Sequence, residues 1–379
     1  MEHYNPIFSK VPTLRFKKYD TNWNRKRLSD YVKKITQKNS NNIIKNVICN
    51  SAQNGLIPQL DFFDKEIAND ENTVGYYIIN NGDFVYNPRK SLNAPYGPVN
   101  MYKYEKAGIV SPLYLCFSVD ESINKSFLLQ RFKSPCWYRY IYLNGDSGAR
   151  HDRVSIKDDV FLSQPISLPS AEEQTDIAVF LEKIDERIEI QNKIISKYET
   201  LIKGLCDMIF RHDKSASLSD LVKCKTSALQ ENMVSTCPRG EYKVLGASGA
   251  IAVIDTYQFD ESGILILKDG SKAGKIQFAQ GKYSVIGTSV VLIPNEACDA
   301  RYLYFAMSSI DFEKYKVGSG IPHIYFKDYS NERIYYPDKA LRKKITKTLD
   351  FYETMVEIER KMLSAMQKQK AFLLQSMFI

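Results

Sequence analysis

The chain carries the same amphipathic helix twice, and this repeat limits its possible folds more than any other feature. Apolar side chains recur at Ile177, Leu181, Ile184, Ile188, Ile195, Tyr198, Ile202, Leu205 and Ile209 in alternating steps of four and three, with Gln191 in the one slot that breaks the run. Such heptad spacing predicts a coiled-coil seam. Ser170 and Glu173 form a capping-box pattern just after Pro169. A helix over residues 172–210 would extend roughly 58 Å at about 1.5 Å per residue. Alone it would expose its whole stripe, so it needs a partner.

A shift of 168 residues lays the C-terminus on this helix, with Glu359 falling where Gln191 lies. Ile345, Leu349, Tyr352, Val356, Leu363, Met366, Leu373 and Met377 then take the seam positions. Lys370 replaces Ile202, which predicts a weaker seam there. Identities at the same shift include Pro169/Pro337, Glu189/Glu357, Ile190/Ile358, Lys193/Lys361, Ser196/Ser364 and Phe210/Phe378. Residues 172–210 hold five basic and nine acidic side chains, net −4, whereas residues 332–379 hold ten basic and six acidic, net +4. Opposite charge favours pairing one copy with the other over self-pairing.

The repeat reaches past the helices. SGARH (147–151) and SGIPH (319–323) precede them, followed by Lys157-Asp158 and Lys327-Asp328; each half opens on Leu-Ser-Asp, at Leu28–Asp30 and Leu218–Asp220. The expected organisation is a globular domain over 1–165, a spacer helix over 166–211, a second domain over 212–335 and a second spacer over 336–379. Stretches such as GYYIINNGDFVYN (75–87), SGILIL (262–267) and YSVIGTSVVLI (283–293) read as short strands joined by tight turns. FEKYKV (312–317) reads less clearly as a strand, and YLYFAM (302–307) as strand or helix. Like frames with unlike contents point to one task performed on two targets. The fold class is thus α/β (α+β): two domains separated by two long helices that pair as an antiparallel coiled coil.

The net charge of +8 admits an anionic partner without requiring one. The helices sum to zero, so the excess lies elsewhere in the chain. Seven cysteines without a C-x-x-C, and four histidines without metal-ligand spacing, fit reduced thiols in a cytoplasmic protein and no metal or cofactor. MEHYNPIFSK (1–10) lacks a signal-peptide core, and no window has the length of a membrane span.

The order of these features resembles the specificity subunit of type I restriction–modification enzymes, over essentially the whole chain. VPTLRF (11–16), Trp23 and LSDYV (28–32) resemble that family's opening, and LPSAEEQTDIAVFLEKIDERIEIQNKII (168–195) its central conserved region. YKVLGASGAIAVIDTY (242–257) and ILKDGSKAGKIQF (266–278) resemble the core of one class of its target-recognition domains. The resemblance implies a non-catalytic subunit that reads a bipartite site in double-stranded DNA, each domain taking one half-site and the helices fixing the gap. It further implies docking of two methyltransferase subunits, with restriction–translocase subunits completing the complex in phage defence. Adenine as the methylated base and ATP as fuel also come only from the resemblance. The second copy departs from the pattern, with Ala340-Leu341-Arg342 in place of Glu-Glu-Gln, which predicts a weakened contact or cap there.

Base readout needs Arg, Lys, Asn or Gln at groove edges and other cations on phosphates. The candidates are Arg89, Lys90, Arg139, Arg150, His151 and Arg153 in the first half, and Lys268, Lys272, Lys275, Lys316 and His323 in the second. For each read singly a solvated surface charge is the commoner fate, and the two histidines equally brace their loops. Asn93–Tyr96 resembles the Asn-Pro-Pro-Tyr pocket of adenine methyltransferases, but no glycine-rich loop for a methyl donor accompanies it. Gly270–Lys275 resembles a phosphate loop with one residue too few and Ile276 where a hydroxyl belongs; a loop turned toward DNA phosphate and a hairpin turn both fit it. A scaffold whose helices collect partners while its globular units bind protein, and an inactive variant of such a specificity subunit, stand as the alternative functions.

Overall fold

The computed structural model of the chain describes residues 11–59, 73–146, 152–211, 214–234, 240–296, 299–318 and 320–379. The heptads form a central helix, Ala171–Phe210, and a terminal helix, Lys339–Ser376. The chain divides into two units: residues 1–190 with 363–379, and residues 191–362. The division falls within both long helices.

In the first unit a four-stranded antiparallel sheet has the order Val32–Lys34, Leu115–Val119, Phe84–Tyr86, Val99–Met101. Helix Lys125–Lys133 follows the strand Leu115–Val119, its first turn capped by the Asn124 side chain, which accepts from Phe127 N at 3.0 Å. Phe127, Leu128 and Phe132 of this helix share one core with Phe84 and Phe117 of the sheet, Ile177 and Leu181 of the central helix, and Leu373 and Met377 of the terminal helix. A ribbon of Asn24–Arg27 against Pro165–Leu168 leads into the central helix. Two further strand pairs, Ile48–Ser51 with Gly55–Pro58 and Tyr77–Ile79 with Gly108–Val110, bury a satellite core around Ile79, Val85 and Tyr102.

The second unit repeats this plan. Its four-stranded sheet has the order Val222–Thr226, Ser289–Pro294, Gly263–Leu267, Ile276–Ala279. In both sheets the first strand in sequence lies beside the last, then the second, then the third. Helix Ala300–Ser308 again follows the last strand, and a ribbon of Ala216–Ser217 with Arg333–Ile334 precedes the terminal helix. YLYFAM is therefore helical, and FEKYKV contains the 3-10 turn Glu313–Tyr315 rather than a strand. What differs is the satellite: here Tyr242–Gly246 pairs antiparallel with Gly249–Ile254 and parallel with Tyr283–Val285.

Equivalent side chains do equivalent work. Leu28 and Leu218 are fully buried, and their amides donate to Gln164 O at 3.0 Å and Glu332 O at 3.1 Å, carbonyls that are 168 residues apart. Phe378 packs on Phe127 with ring centroids 5.4 Å apart, and Phe210 on Tyr302 at 5.7 Å. The Lys-Asp dipeptides are not equivalent. The short helices at these sites start at Asp158, with Lys157 as N-cap, and at Phe326, so Lys327-Asp328 sits two residues deeper.

The seam forms within each unit. In the second, the two residues that break the heptads face each other: Gln191 Nε2 donates to the Glu359 carbonyl at 3.2 Å and to its carboxylate. Ile195 and Val356 are buried, Tyr198 and Tyr352 pack with centroids 6.4 Å apart, and Arg360 meets Glu199 at 2.5 Å. In the first unit Leu181 is fully buried, and Ile184, Ile188, Leu363 and Met366 are half-buried. Lys370 does not merely weaken the seam, as the substitution for Ile202 predicts. Its ammonium is half-buried and pairs with Asp185, which Lys133 also meets at 3.0 Å. Burial works against the Asp185 charge, but the two lysines outweigh it and hold the carboxyl at about 2. The extra cation bears the strain: burial first, and Lys133 second, lower Lys370 to about 8.

The capping box is half realised. Ser170 Oγ accepts from Glu173 N at 3.3 Å, but the fully buried Glu173 carboxylate turns to Arg15, Nε and Nη2 each at 2.7 Å, and to Trp23 Nε1 at 3.3 Å. The opening segment is thereby tied to the central helix. Arg342, in the slot of Gln174, does not leave a weakened contact. Gln174 donates to Pro169 O at 3.1 Å and accepts from Asn124 N at 3.0 Å; Arg342 donates to Pro337 O at 2.7 Å and to the Asp299 carboxylate at 3.0 and 2.9 Å. Both side chains join the start of their long helix to the start of the short one. The second copy replaces neutral bonds by a buried ion pair.

Removing one partner of such a pair strands a charge. Glu173→Ala and Asp299→Ala are each expected to lower unfolding free energy by about 3–5 kcal/mol, measured by denaturant titration, whereas the double change Arg15→Met/Glu173→Met should recover most of the loss. Lys370→Met is expected to equal or exceed the wild type in stability at pH 7. The folded lysine sheds its proton near 8 and the unfolded one near 10.5, so this site's penalty is full below pH 8 and is relieved as pH rises between those values. The advantage of the variant should therefore shrink at pH 9.5; a constant advantage would refute the assignment.

Candidate nucleic-acid interface

In each unit the loop after the second strand of the four-stranded sheet is bonded to the segment that follows the Ser-Gly loop. In the first unit Lys90 N donates to Asp152 O at 2.8 Å and Val154 N to Pro88 O at 2.9 Å, which sets Arg89 opposite Arg153. In the second, Gly270 N donates to Pro322 O and Ile324 N to Lys268 O, both at 2.9 Å, which sets Asp269 opposite His323. The bond pattern and its place in the topology are the same.

Local sequence builds the first loop. The Asn87 side chain accepts from Arg89 N at 3.0 Å, an Asx turn around Pro88. Ser91 and Ala94 exchange backbone bonds at 3.0 and 3.1 Å around Leu92-Asn93, so Leu92 is fully exposed at the tip. Gly97 closes the loop at φ +84°, where a Cβ would lie 2.1 Å from the Asn87 carbonyl oxygen. Asn93–Tyr96 is thus part of a turn between antiparallel strands, with Tyr96 packed on Tyr138 at 4.9 Å.

Arg89, Lys90 and Arg153 line one open cleft of about 640 Å3, with Asn50, Gln53 and Tyr114. The Asp152 carboxylate lies 4.0 Å from Arg89 Nε and 3.8 Å from Arg153 Nε, too far for hydrogen bonds. Arg153 Nε is buried and has no acceptor among the described residues. Burial raises the Tyr114 hydroxyl above its ordinary pKa, and both arginines pull it back. Arg139 is exposed on helix Tyr138–Asn144 and does not line the cleft. Arg150 and His151 lie outside the described residues.

In the second unit His323 Nδ1 is 2.8 Å from Asp269 Oδ1. A carboxylate only accepts, so Nδ1 carries the proton, and Nε2 is an acceptor when the ring is neutral and a donor when it is charged. Lys268 flanks this pair. Lys272 is exposed in the turn that returns to strand Ile276–Ala279, so Gly270–Lys275 is a hairpin loop between antiparallel strands and not the strand-to-helix loop that binds nucleotides. Lys275 donates to Ala247 O at 3.3 Å, and the Lys316 ammonium is held by Glu313 at 2.6 Å. Selecting cations alone missed Asp152, the acid between Arg89 and Arg153, and Asp269, the acid bonded to His323. Asp152 could have been found as the anion between two candidate arginines. Among the described residues no acidic, Cys or His cluster could hold a metal ion, and no helix is long and apolar enough to cross a membrane.

The sequence matches the family model of the type I restriction modification DNA specificity domain over residues 20–200 and again over 214–367. The chain belongs to that family. A stretch of 123 residues, 31% of this chain, is 28% identical to the specificity subunit of the type I restriction enzyme MjaVIII from Methanocaldococcus jannaschii and spans 28% of that protein's length. The fold is similar to the S subunit of a type I restriction–modification system from M. genitalium, at TM-score 0.60 and 15% identity over 97% of this chain and 99% of that one. A solved structure concerned with complex assembly and conformational transition of the type I R-M system is also similar, at TM-score 0.55 and 14% identity over 94% of this chain and 98% of that one. At such identities the likeness is one of fold.

Gly97→Ala is expected to lower stability by more than about 1 kcal/mol, since the new Cβ meets backbone at a positive φ; thermal unfolding of the purified protein measures it.

Proposed function

We propose that this chain is the DNA-reading subunit of a type I restriction–modification complex and performs no catalysis itself. Residues 1–165 and 212–335 act as target-recognition domains, each reading one half of a bipartite site in double-stranded DNA. The helices of 166–211 and 336–379 fix the gap between the halves and offer their outer faces to two methyltransferase subunits. Restriction–translocase subunits complete the assembly. The observation that carries this reading is the matched loop pair: two units of the same sheet order present different charged side chains at the same backbone bridge. A chain built to read two sequences needs that combination of constant frame and variable contact.

The test is a methylome after co-expression with the cognate methyltransferase subunit. Methylated adenines in two short half-sites at a fixed gap are expected; a stable complex that leaves the DNA unmethylated contradicts the reading. Replacing residues 28–165 by the equivalent unit of another family member should change one half-site only. Binding should also fall steeply as salt rises, because each neutralised phosphate releases counterions. A protein-binding scaffold would lack that slope.

A further inference from the structure

The bridge that joins the two loops pairs Arg89 with Arg153 in one unit and Asp269 with His323 in the other. We infer that these pairs are the base-reading positions of the two units, and that their opposite hydrogen-bonding character assigns what each reads. The inference rests on the DNA-reading role proposed above.

The first pair offers donors only. Two guanidiniums flank one cleft, and Asp152 stays beyond hydrogen-bond distance of both Nε atoms. Donors of this geometry suit the O6 and N7 acceptors of guanine in the major groove. The second pair offers acceptors. The second oxygen of Asp269 presents a lone pair, and His323, with its Nδ1 proton on Asp269, presents another at Nε2 when the ring is neutral. Acceptors suit the exocyclic amino group of adenine or cytosine, and repel the O6 and O4 edges of guanine and thymine. Both pairs are partly exposed: Arg89 at 69%, Arg153 at 35%, His323 at 39% and Asp269 at 31%. Lys90 and Lys268, half-buried and next in the chain to each pair, add a cation beside it.

Unmodified protein tests this first. The complex with the methyltransferase subunit is titrated with its methylome-defined duplex, then with duplexes altered one base at a time. Replacing a guanine of the first half-site by 7-deazaguanine should weaken binding at least about fivefold at one position. Replacing one adenine or cytosine of the second half-site by an analogue without the amino group should do the same. No loss at any position of either half-site overturns the inference. The variants Arg89→Gln, Arg153→Gln, Asp269→Asn and His323→Gln give a second readout. Each should relax or alter one position of its own half-site and leave the other half-site unchanged. Weaker methylation of all sites with unaltered sequence preference would make the pairs phosphate contacts or braces and overturn the inference. Wild-type complex that selects no bipartite site is the separate result that would sink the DNA-reading role itself.

Discussion

The pairing of the two long helices is the constraint on which the remaining structure depends. Neither helix can keep its apolar stripe dry alone, and each stripe has a polar gap at the same level, the terminal one having a second at Lys370. The gaps meet, Gln191 on Glu359. A lone polar residue in a seam costs stability in any register that leaves it unpaired, so this bond favours the register observed. Once the register is set, the short helices Lys125–Lys133 and Ala300–Ser308 find matching seats. Phe378 meets Phe127 and Phe210 meets Tyr302, each aromatic third in its short helix.

The ion pairs at the helix starts serve specificity more than strength. Burying a carboxylate and a guanidinium together is close to neutral, whereas separating them is costly. Arg15 with Glu173, and Asp299 with Arg342, therefore penalise misplacement of the opening segment and of the second short helix. The second copy lacks the Glu-Glu-Gln of the first but has the same geometry, because Arg342 reaches the Pro337 carbonyl and the N-cap residue Asp299 as Gln174 reaches Pro169 and Asn124.

Much of this was legible in the sequence because heptads and a constant offset are local, periodic signals. The helix pair and the repeat follow from them, and strands of the two units from short β-branched and aromatic runs between turn residues. The match of sheet order could not be read, since the strand contents differ and strand order is set by long-range contacts. Lys370 was legible only in part for a related reason: as a substitution for isoleucine it marks a weak point in the seam, and only the fold brings Asp185 to it. Among the candidate contacts, Arg89, Lys90 and Arg153 converge on one cleft, while Lys316 spends its charge on Glu313 and Arg139 stands apart. Nothing in local sequence distinguishes them. What separates them is the backbone bridge between loops some sixty residues apart, and the acids Asp152 and Asp269 that come with it.

The central claim is that the paired helices measure the gap between two independent readers. The most direct test inserts one heptad into each long helix at the same seam level, which preserves the stripe, and maps the methylated sites of the resulting complex. Seven residues add about 10 Å of helix, or roughly three base pairs at about 3.4 Å each. The account predicts a gap longer by about that amount with both half-sites unchanged. An unchanged gap, or altered half-sites at the old spacing, would contradict it.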